Sequence, residues 1–95
     1  MKKGNITMNI YSIKDKAIGF DGIFTANNDF HALRMANDTV NAPEQLNQPM
    51  TLIQKHPEDY DLYCLGKLNT DTGEITPETR FMQNLLDLKK VDKKA

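Results

Sequence analysis

The chain has 95 residues, 39% of them hydrophobic, and a net charge of −1 from 12 basic and 13 acidic side chains. This length leaves room for one domain with one core, residues 1–95, in which we expect residues 1–5 and 90–95 to be flexible. The near-neutral charge argues against a high-affinity, non-specific binder of duplex DNA, because such proteins are usually strongly basic. The single cysteine, Cys64, excludes a disulfide within the chain and favours a reducing, cytosolic setting, and no apolar run is long enough to cross a membrane.

The N-terminal part predicts one strand and then an ambiguous apolar segment. Residues 8–13 predict the first strand, because β-branched and aromatic residues there alternate in part with polar ones. Asp21-Gly22 is a turn signal. Residues 23–25 behind it favour either a short second strand or an apolar loop folded over the core.

The clearest helix is predicted near residues 28–41. Apolar residues, beginning with Phe30, recur there at helical spacing, and one of two adjacent asparagines can cap the N-terminus. Pro43 ends the helix, because the residue before a proline is disfavoured in the helical conformation. Residues 50–55 predict one or two further helical turns.

The C-terminal part predicts a hairpin and a second helix. Residues 60–68 are the strongest strand candidate, and residues 74–76 return as a short partner after a turn in which Gly73 can adopt positive φ. A helix is predicted near residues 78–90, because the apolar residues of this tail, beginning with Phe81, fit helical spacing.

These elements predict an α+β fold in which helices pack on a small antiparallel sheet. The expected strands are residues 8–13, 60–68, 74–76 and, as an optional fourth, 23–25, and the expected helices are residues 28–41 and 78–90. A domain of this size buries roughly 60–65% of its unfolded surface and is marginal as a monomer. We therefore expect a homodimer.

Two tyrosines suggest a binding surface on the sheet. If the first strand pairs with residues 60–68, Tyr11 and Tyr63 emerge on the same face, with Lys67 beside them. Such a face can stack unpaired bases, pack against a second subunit, or form ordinary core beneath the C-terminal helix. The residues alone leave these three interpretations open.

The tetrapeptide His-Pro-Glu-Asp at residues 56–59 is the most distinctive candidate for chemistry. Its histidine and carboxylates could form an acid/base or metal-binding group, or they could be parts of a turn. The turn is favoured, because no nucleophile or oxyanion site accompanies it. Cys64 and the two histidines match no zinc spacing, so we expect no enzyme, no metal and no cofactor.

Four lysines crowd the C-terminus, at residues 89, 90, 93 and 94. They suit the end of a helix, where positive charge complements the dipole. Beyond the helix such a run is either a flexible basic arm for nucleic acid or a solubilising tail, and its short length favours the tail.

Four segments, in one order along the chain, carry a resemblance to a known family. The most specific is HPEDYDLYCLG at residues 56–66. The others are YSIKDKA at residues 11–17 followed by Gly19-Phe20, Ala32-Leu33-Arg34 in the helix, and DTGEI at residues 71–75 in the hairpin. Together they resemble the small nonstructural protein of gokushoviruses, which are tailless microviruses with circular single-stranded DNA genomes.

The resemblance covers roughly residues 8–80 and implies a function. By comparison with the C-type protein of related microviruses, it implies a non-enzymatic phage accessory protein that acts in viral single-stranded DNA replication or genome packaging. The expected location is the host bacterial cytoplasm. No catalytic residues are implied.

Two mechanisms fit this role. In the first, the protein binds single-stranded DNA, with two tyrosines stacking on bases and four basic residues meeting phosphates. The candidate residues are Tyr11, Tyr63, Lys14, Lys16, Arg34 and Lys67. In the second, it is an adaptor that binds the replication initiator or the procapsid without touching DNA. The near-neutral charge favours the adaptor, whereas the phage context and the tyrosines favour DNA.

Overall fold

The computed structural model describes residues 7–42 and 52–89 and confirms the α+β class. In chain order the elements are β1 (Thr7–Asp15), β2 (Gly19–Ala26), α1 (Asp29–Val40), α2 (Leu52–Lys55), a 3-10 turn (Pro57–Asp59), β3 (Tyr60–Asn69), β4 (Ile75–Asn84) and a second 3-10 turn (Leu85–Leu88). Neither helix is long and apolar enough to cross a membrane. The predicted flexibility of residues 1–5 and 90–95 concerns residues outside these ranges.

The four strands form one antiparallel sheet in the order β2-β1-β3-β4. The predicted pairing of the first strand with residues 60–68 is confirmed, because β1 lies against β3 from Thr7 to Asp15. The ambiguous apolar segment is a strand, since it falls inside β2. The predicted hairpin is also confirmed, and its second strand is longer than expected.

Helix α1 begins where the sequence predicts it. The side chain of Asn28 accepts a hydrogen bond from the backbone N–H of His31 at 2.8 Å, which caps the helix. The face that packs on the sheet carries Ala32 and Ala36, whereas Phe30 is 77% exposed. Val40 is also buried and Leu33 packs against the core, so most of the predicted apolar stripe faces inward, whereas its first member, Phe30, faces water.

The core lies between α1 and one face of the sheet. It is built from fully or almost fully buried residues of β1, β2, α1, β3 and the second 3-10 turn: Tyr11, Ala26, Ala32, Ala36, Leu62, Cys64 and Leu85. Leu85, from the second 3-10 turn, closes this cluster at the end of the described chain. The sheet therefore has one face covered by helical segments and a second face turned away from them.

The predicted C-terminal helix at residues 78–90 is wrong. Residues 75–84 form β4, and only a 3-10 turn follows, at Leu85–Leu88. The apolar spacing that begins at Phe81 fits a helix, but β3 is a ten-residue strand whose outer backbone groups are paired by β4. Pro77 is tolerated because β4 is an edge strand.

A bulge in β2 reverses the face that its side chains occupy. Tyr11 lies opposite Phe24 and Ile13 opposite Asp21, so two steps along β1 match three along β2. Gly22 sits at this bulge with φ of 75°, and its carbonyl accepts a hydrogen bond from the buried Ser12 hydroxyl. The predicted turn at Asp21-Gly22 is therefore wrong, because the glycine interrupts the strand register without ending the strand.

A second bulge lies in β3. Ile10 pairs with Gly66 and Tyr11 with Cys64, so one step along β1 matches two along β3. Simple alternation therefore fails beyond Cys64. As a result, residues of β3 on either side of the bulge do not keep the faces that the sequence pattern assigns to them.

Candidate nucleic-acid interface

Three aromatic rings form a row on the sheet face that is turned away from α1. Tyr63 is at the centre, and its ring meets Phe20 edge-on at a centroid distance of 5.1 Å. On the other side it meets Phe81 edge-on at 5.6 Å. Together with Lys14, these residues are called the aromatic face below.

Strand alternation places the aromatic face opposite the core. Tyr63 lies between Leu62 and Cys64, which both point into the core. Phe81 is the register partner of Tyr63 on β4, and partners point to the same side of a sheet. Phe20 joins the row because the bulge at residue 22 moves it away from the side that Phe24 occupies.

Lys14 supplies a positive charge directly over the rings. Its Nζ atom lies 5.5 Å from the centroid of Phe20 and 5.7 Å from that of Tyr63, within the range of cation–π contacts. Asp61 lies opposite Lys14 in the β1–β3 register, and its carboxylate accepts a hydrogen bond from the Asn84 amide at 2.8 Å. The charge of this carboxylate offsets part of the charge of Lys14.

The aromatic face is accessible to a ligand. Phe20 is 45% exposed and Phe81 is 55% exposed, while Tyr63 between them is half-buried. Exposed aromatic rings in a continuous row, with a cation beside them, are the features by which proteins stack unpaired bases. An equally apolar protein surface can also pack on such rings.

Tyr11 does not belong to this surface, and the predicted face shared by the two tyrosines is wrong. Its side chain has no exposed area, and its ring stacks on Phe24 at a centroid distance of 5.6 Å within the core. Its hydroxyl donates to Asp29 Oδ1 at 2.8 Å and accepts from the Asn9 amide at 2.9 Å. Burial, together with the Asp29 carboxylate, raises the pKa of Tyr11 to about 12. A ring with no exposed surface cannot stack on a base.

Tyr11 and Arg80 both donate hydrogen bonds to Asp29, and this shared acceptor connects three elements. Asp29, the first residue of α1, also accepts from one guanidinium nitrogen of Arg80, at 2.9 Å to Oδ1 and 3.0 Å to Oδ2. Strand β1, helix α1 and strand β4 therefore meet at a single carboxylate. The hydrogen bond from Arg80, supported by that from Tyr11, lowers the pKa of Asp29 despite partial burial.

The lowered pKa predicts an acid-dependent stability. Because the pKa of Asp29 is lower in the folded protein than in the unfolded chain, its contribution is complete above the ordinary carboxyl pKa of about 3.9 and is lost as the pH falls below it. We expect Asp29→Asn to flatten the fall in unfolding free energy between about pH 5 and pH 2. Urea unfolding at a series of pH values measures this slope.

A matched control lies on the same helix. Asp38→Asn removes an exposed carboxylate from α1 and should leave the acid slope close to that of the wild type. Equal slopes in the wild type and Asp29→Asn would contradict the role assigned to the carboxylate.

The structure brings Lys14 and Tyr63 together and separates the other predicted residues from them. Arg34 lies on α1, beside Phe30 and Leu88, and therefore on the helical side of the domain. Lys16 lies in the turn after β1 and is exposed, and its backbone N–H donates to the carbonyl of Asp59 at 3.0 Å.

Lys67 is separated from the aromatic face by the β3 bulge. It lies opposite Asn9, whose amide donates to the Tyr11 hydroxyl, so Lys67 shares the side of the sheet that carries Tyr11. It is also four residues from Tyr63, or about 13 Å along the strand.

Two residues of the aromatic face are absent from the predicted site residues. The sequence pattern places Phe81 in a helix and Phe20 in no strand. The signal for Phe20 is the nearby Gly22. An isolated glycine inside a strand suggests a bulge, and a bulge changes the face of the sheet that neighbouring side chains occupy. The signal for Phe81 depends on recognising its segment as a strand.

Residues 56–59 form a turn, as predicted. His56 precedes the 3-10 turn that Pro57 begins. The ligand atoms of His56, Glu58 and Asp59 lie within 4.8 Å of one another, and all three side chains are exposed. Exposed carboxylates at a turn are common without a metal, and the geometry is explained by the turn.

Comparisons with known proteins identify the family of the chain. Neither the curated proteins nor the solved structures contain a match. The family described as the phage ORF5 protein, in contrast, matches residues 8–90. That match runs from the second residue of β1 to beyond the last 3-10 turn, and so covers almost all of the described elements. The chain therefore belongs to the phage ORF5 protein family.

Proposed function

We propose that this phage protein binds single-stranded DNA on its aromatic face. It acts as a non-enzymatic accessory factor in genome replication or packaging, in the host bacterial cytoplasm. The observation that carries the proposal is the row of Phe20, Tyr63 and Phe81 with Lys14 over two of the rings. The resemblance to the gokushovirus protein supports the same ligand, since those phages package single-stranded DNA.

Stacking carries most of the affinity in this proposal. The net charge is −1, and the aromatic face holds one lysine whose charge is partly offset by Asp61. A protein of this kind neutralises few phosphates. We therefore expect a shallow salt dependence, with log K falling by about 0.7–1.4 per unit of log salt for one or two phosphates.

An adaptor function is the alternative. The protein would bind the replication initiator or the procapsid without contacting DNA, and the near-neutral charge supports it.

In either case we propose a homodimer, because a small domain gains stability from association and two aromatic faces double the site. Light scattering measures the oligomeric state.

Replacement of the exposed rings tests the proposal. Phe81→Ala and Phe20→Ala should each weaken binding of a labelled thymidine oligonucleotide by about 5- to 150-fold, because stacking contributes about 1–3 kcal/mol per base. Lys14→Gln should lower the salt slope by about 0.7. Fluorescence anisotropy at several salt concentrations measures both effects.

Phe30→Ala is the matched control, because Phe30 is an exposed phenylalanine on the opposite side of the domain. It should bind the oligonucleotide as the wild type does. Thermal unfolding by circular dichroism checks that each variant is folded. The DNA proposal fails if no binding occurs at low salt, or if the Phe30 variant loses as much affinity as the Phe81 variant.

A further inference from the structure

A second surface of the domain is an apolar cavity beside the edge of the sheet. It has a volume of about 530 Å³ and lies between the β1–β2 hairpin and α2. Its apolar lining comes from Ile13, Ile18, Ile23, Phe24, Leu52 and Ile53. The volume falls within the range of ligand-binding pockets in proteins. The aromatic face is not part of this cavity.

Large apolar side chains project at the mouth of this cavity. Ile18 is 84% exposed, Ile23 is 68% exposed and Leu52 is 64% exposed. Three branched side chains that share one cavity and face water form the kind of patch that marks an interaction surface. Single exposed apolar residues would need no such explanation.

The cavity adjoins an open strand edge. β2 is the first strand in the sheet order and has a neighbour on one side only, within residues 7–42 and 52–89. The backbone groups on its outer side can therefore pair with an extended segment. Such a segment would lay alternate side chains over the cavity, which is how sheet edges recognise peptides.

The charged side chains that line the cavity are acidic. Asp15 and Asp21 belong to the lining, and no basic side chain of the described residues does. Tyr60 also lines it, and burial, together with the charge and hydrogen bond of Asp15, raises the pKa of this tyrosine. Basic groups on an incoming segment would be attracted by these carboxylates.

The carboxylates also argue against a second copy of the chain as the occupant. Pairing of two β2 edges would bring Asp15 and Asp21 of both copies into one interface, where like charges repel. A segment that carries lysine or arginine meets no such repulsion.

We propose that the cavity and the edge of β2 bind an extended segment of a partner protein that presents apolar side chains flanked by lysine or arginine. The segment adds a strand to β2, places its apolar side chains against Ile23 and Leu52, and pairs its basic ends with Asp15 and Asp21. This surface is separate from the aromatic face, so the protein can hold a partner and DNA at the same time.

Two labelled ten-residue peptides test the proposal with the full chain. Both alternate valine with threonine, and one has two lysines at each end where the other has two glutamates. The lysine peptide should bind about tenfold more tightly than the glutamate peptide at low salt. Ile23→Ser should weaken the lysine peptide by about tenfold, and Asp21→Asn should reduce the difference between the peptides. Fluorescence anisotropy measures all of these.

The control is Ile75→Ser, which changes an exposed isoleucine on the opposite edge strand, β4, and should bind the lysine peptide as the wild type does. Ile23→Ser should keep its affinity for the oligonucleotide, which separates this proposal from the DNA proposal. Equal binding of the two peptides, or no binding of either, overturns the inference. A dimer that Ile23→Ser dissociates also overturns the inference, because it identifies a second copy of the chain as the occupant. Peptide binding that requires removal of residues 90–95 does the same, because it identifies the chain's own lysine tail as the occupant.

Discussion

Tyr11→Ala should lower the free energy of unfolding by about 3–5 kcal/mol, the usual cost of removing a large buried aromatic ring. Tyr11 has no exposed area and stacks on Phe24, so its removal leaves a cavity the size of its ring inside the core. Small domains have total stabilities of about 5–15 kcal/mol, so the variant should be partly or largely unfolded at about 37 °C. Urea unfolding followed by far-UV circular dichroism measures the loss.

Tyr11→Phe separates the ring from its hydroxyl. It keeps the packing and removes the hydrogen bonds to Asn9 and Asp29, so we expect a loss of about 1 kcal/mol. Its affinity for single-stranded DNA should equal that of the wild type, because the ring is inside the core. A selective loss of DNA affinity in a stably folded Tyr11→Phe protein would return this residue to the binding surface.

Gly66→Ala should cost about 3 kcal/mol or more, because its new methyl group meets the backbone of the neighbouring strand. A Cβ atom at this position would lie inside van der Waals contact with the carbonyl oxygen of Thr76 and would crowd the Cα atom of Pro77. Both are backbone atoms of the paired strand β4, so they cannot move without breaking the β3–β4 ladder. The φ angle of 149° adds strain for any residue with a side chain.

Gly73→Ala is the control, because Gly73 shares the positive φ, at 82°, but a Cβ atom added there would have no other atom within 4 Å. It should cost about 1 kcal/mol from backbone strain alone. Chemical unfolding gives both values, and hydrogen exchange should show faster exchange along β4 in Gly66→Ala. If the two variants are equally stable, the close approach of β3 and β4 is not the reason for the glycine.

The sequence predicts the elements of this fold better than it predicts their faces. Helix α1 is recoverable because its cap at Asn28 is a local signal. The partners β1 and β3 are recoverable because both are rich in β-branched or aromatic residues. The identity of β4 is not, since an apolar spacing that includes Phe81 and Leu85 fits a helix equally well, and only the pairing with β3 decides.

The faces depend on bulges, which no period in the sequence reveals. Phe20 and Phe24 are an even number of residues apart, and alternation would put both on one face. The bulge at Gly22 sends Phe24 into the core and Phe20 to the opposite side. Residue spacing alone likewise does not reveal that Tyr11 and Tyr63 lie on opposite faces of the sheet. In the folded sheet, Tyr11 shares a side with Leu62 and Cys64, opposite the side that carries Tyr63.

The burial of Leu85 determines when a newly made chain can reach its final state. This side chain, from the last described turn, sits in the same cluster as Tyr11 from the first strand. The Asn41 amide also reaches across to the carbonyl of Leu88, at 2.8 Å. A nascent chain that ends after α1 lacks Leu62, Cys64 and Leu85, so the apolar side chains of β1, β2 and α1 are still open to water. Closure of the interior waits until Leu85 has been synthesised, and apolar surface left open until then favours aggregation.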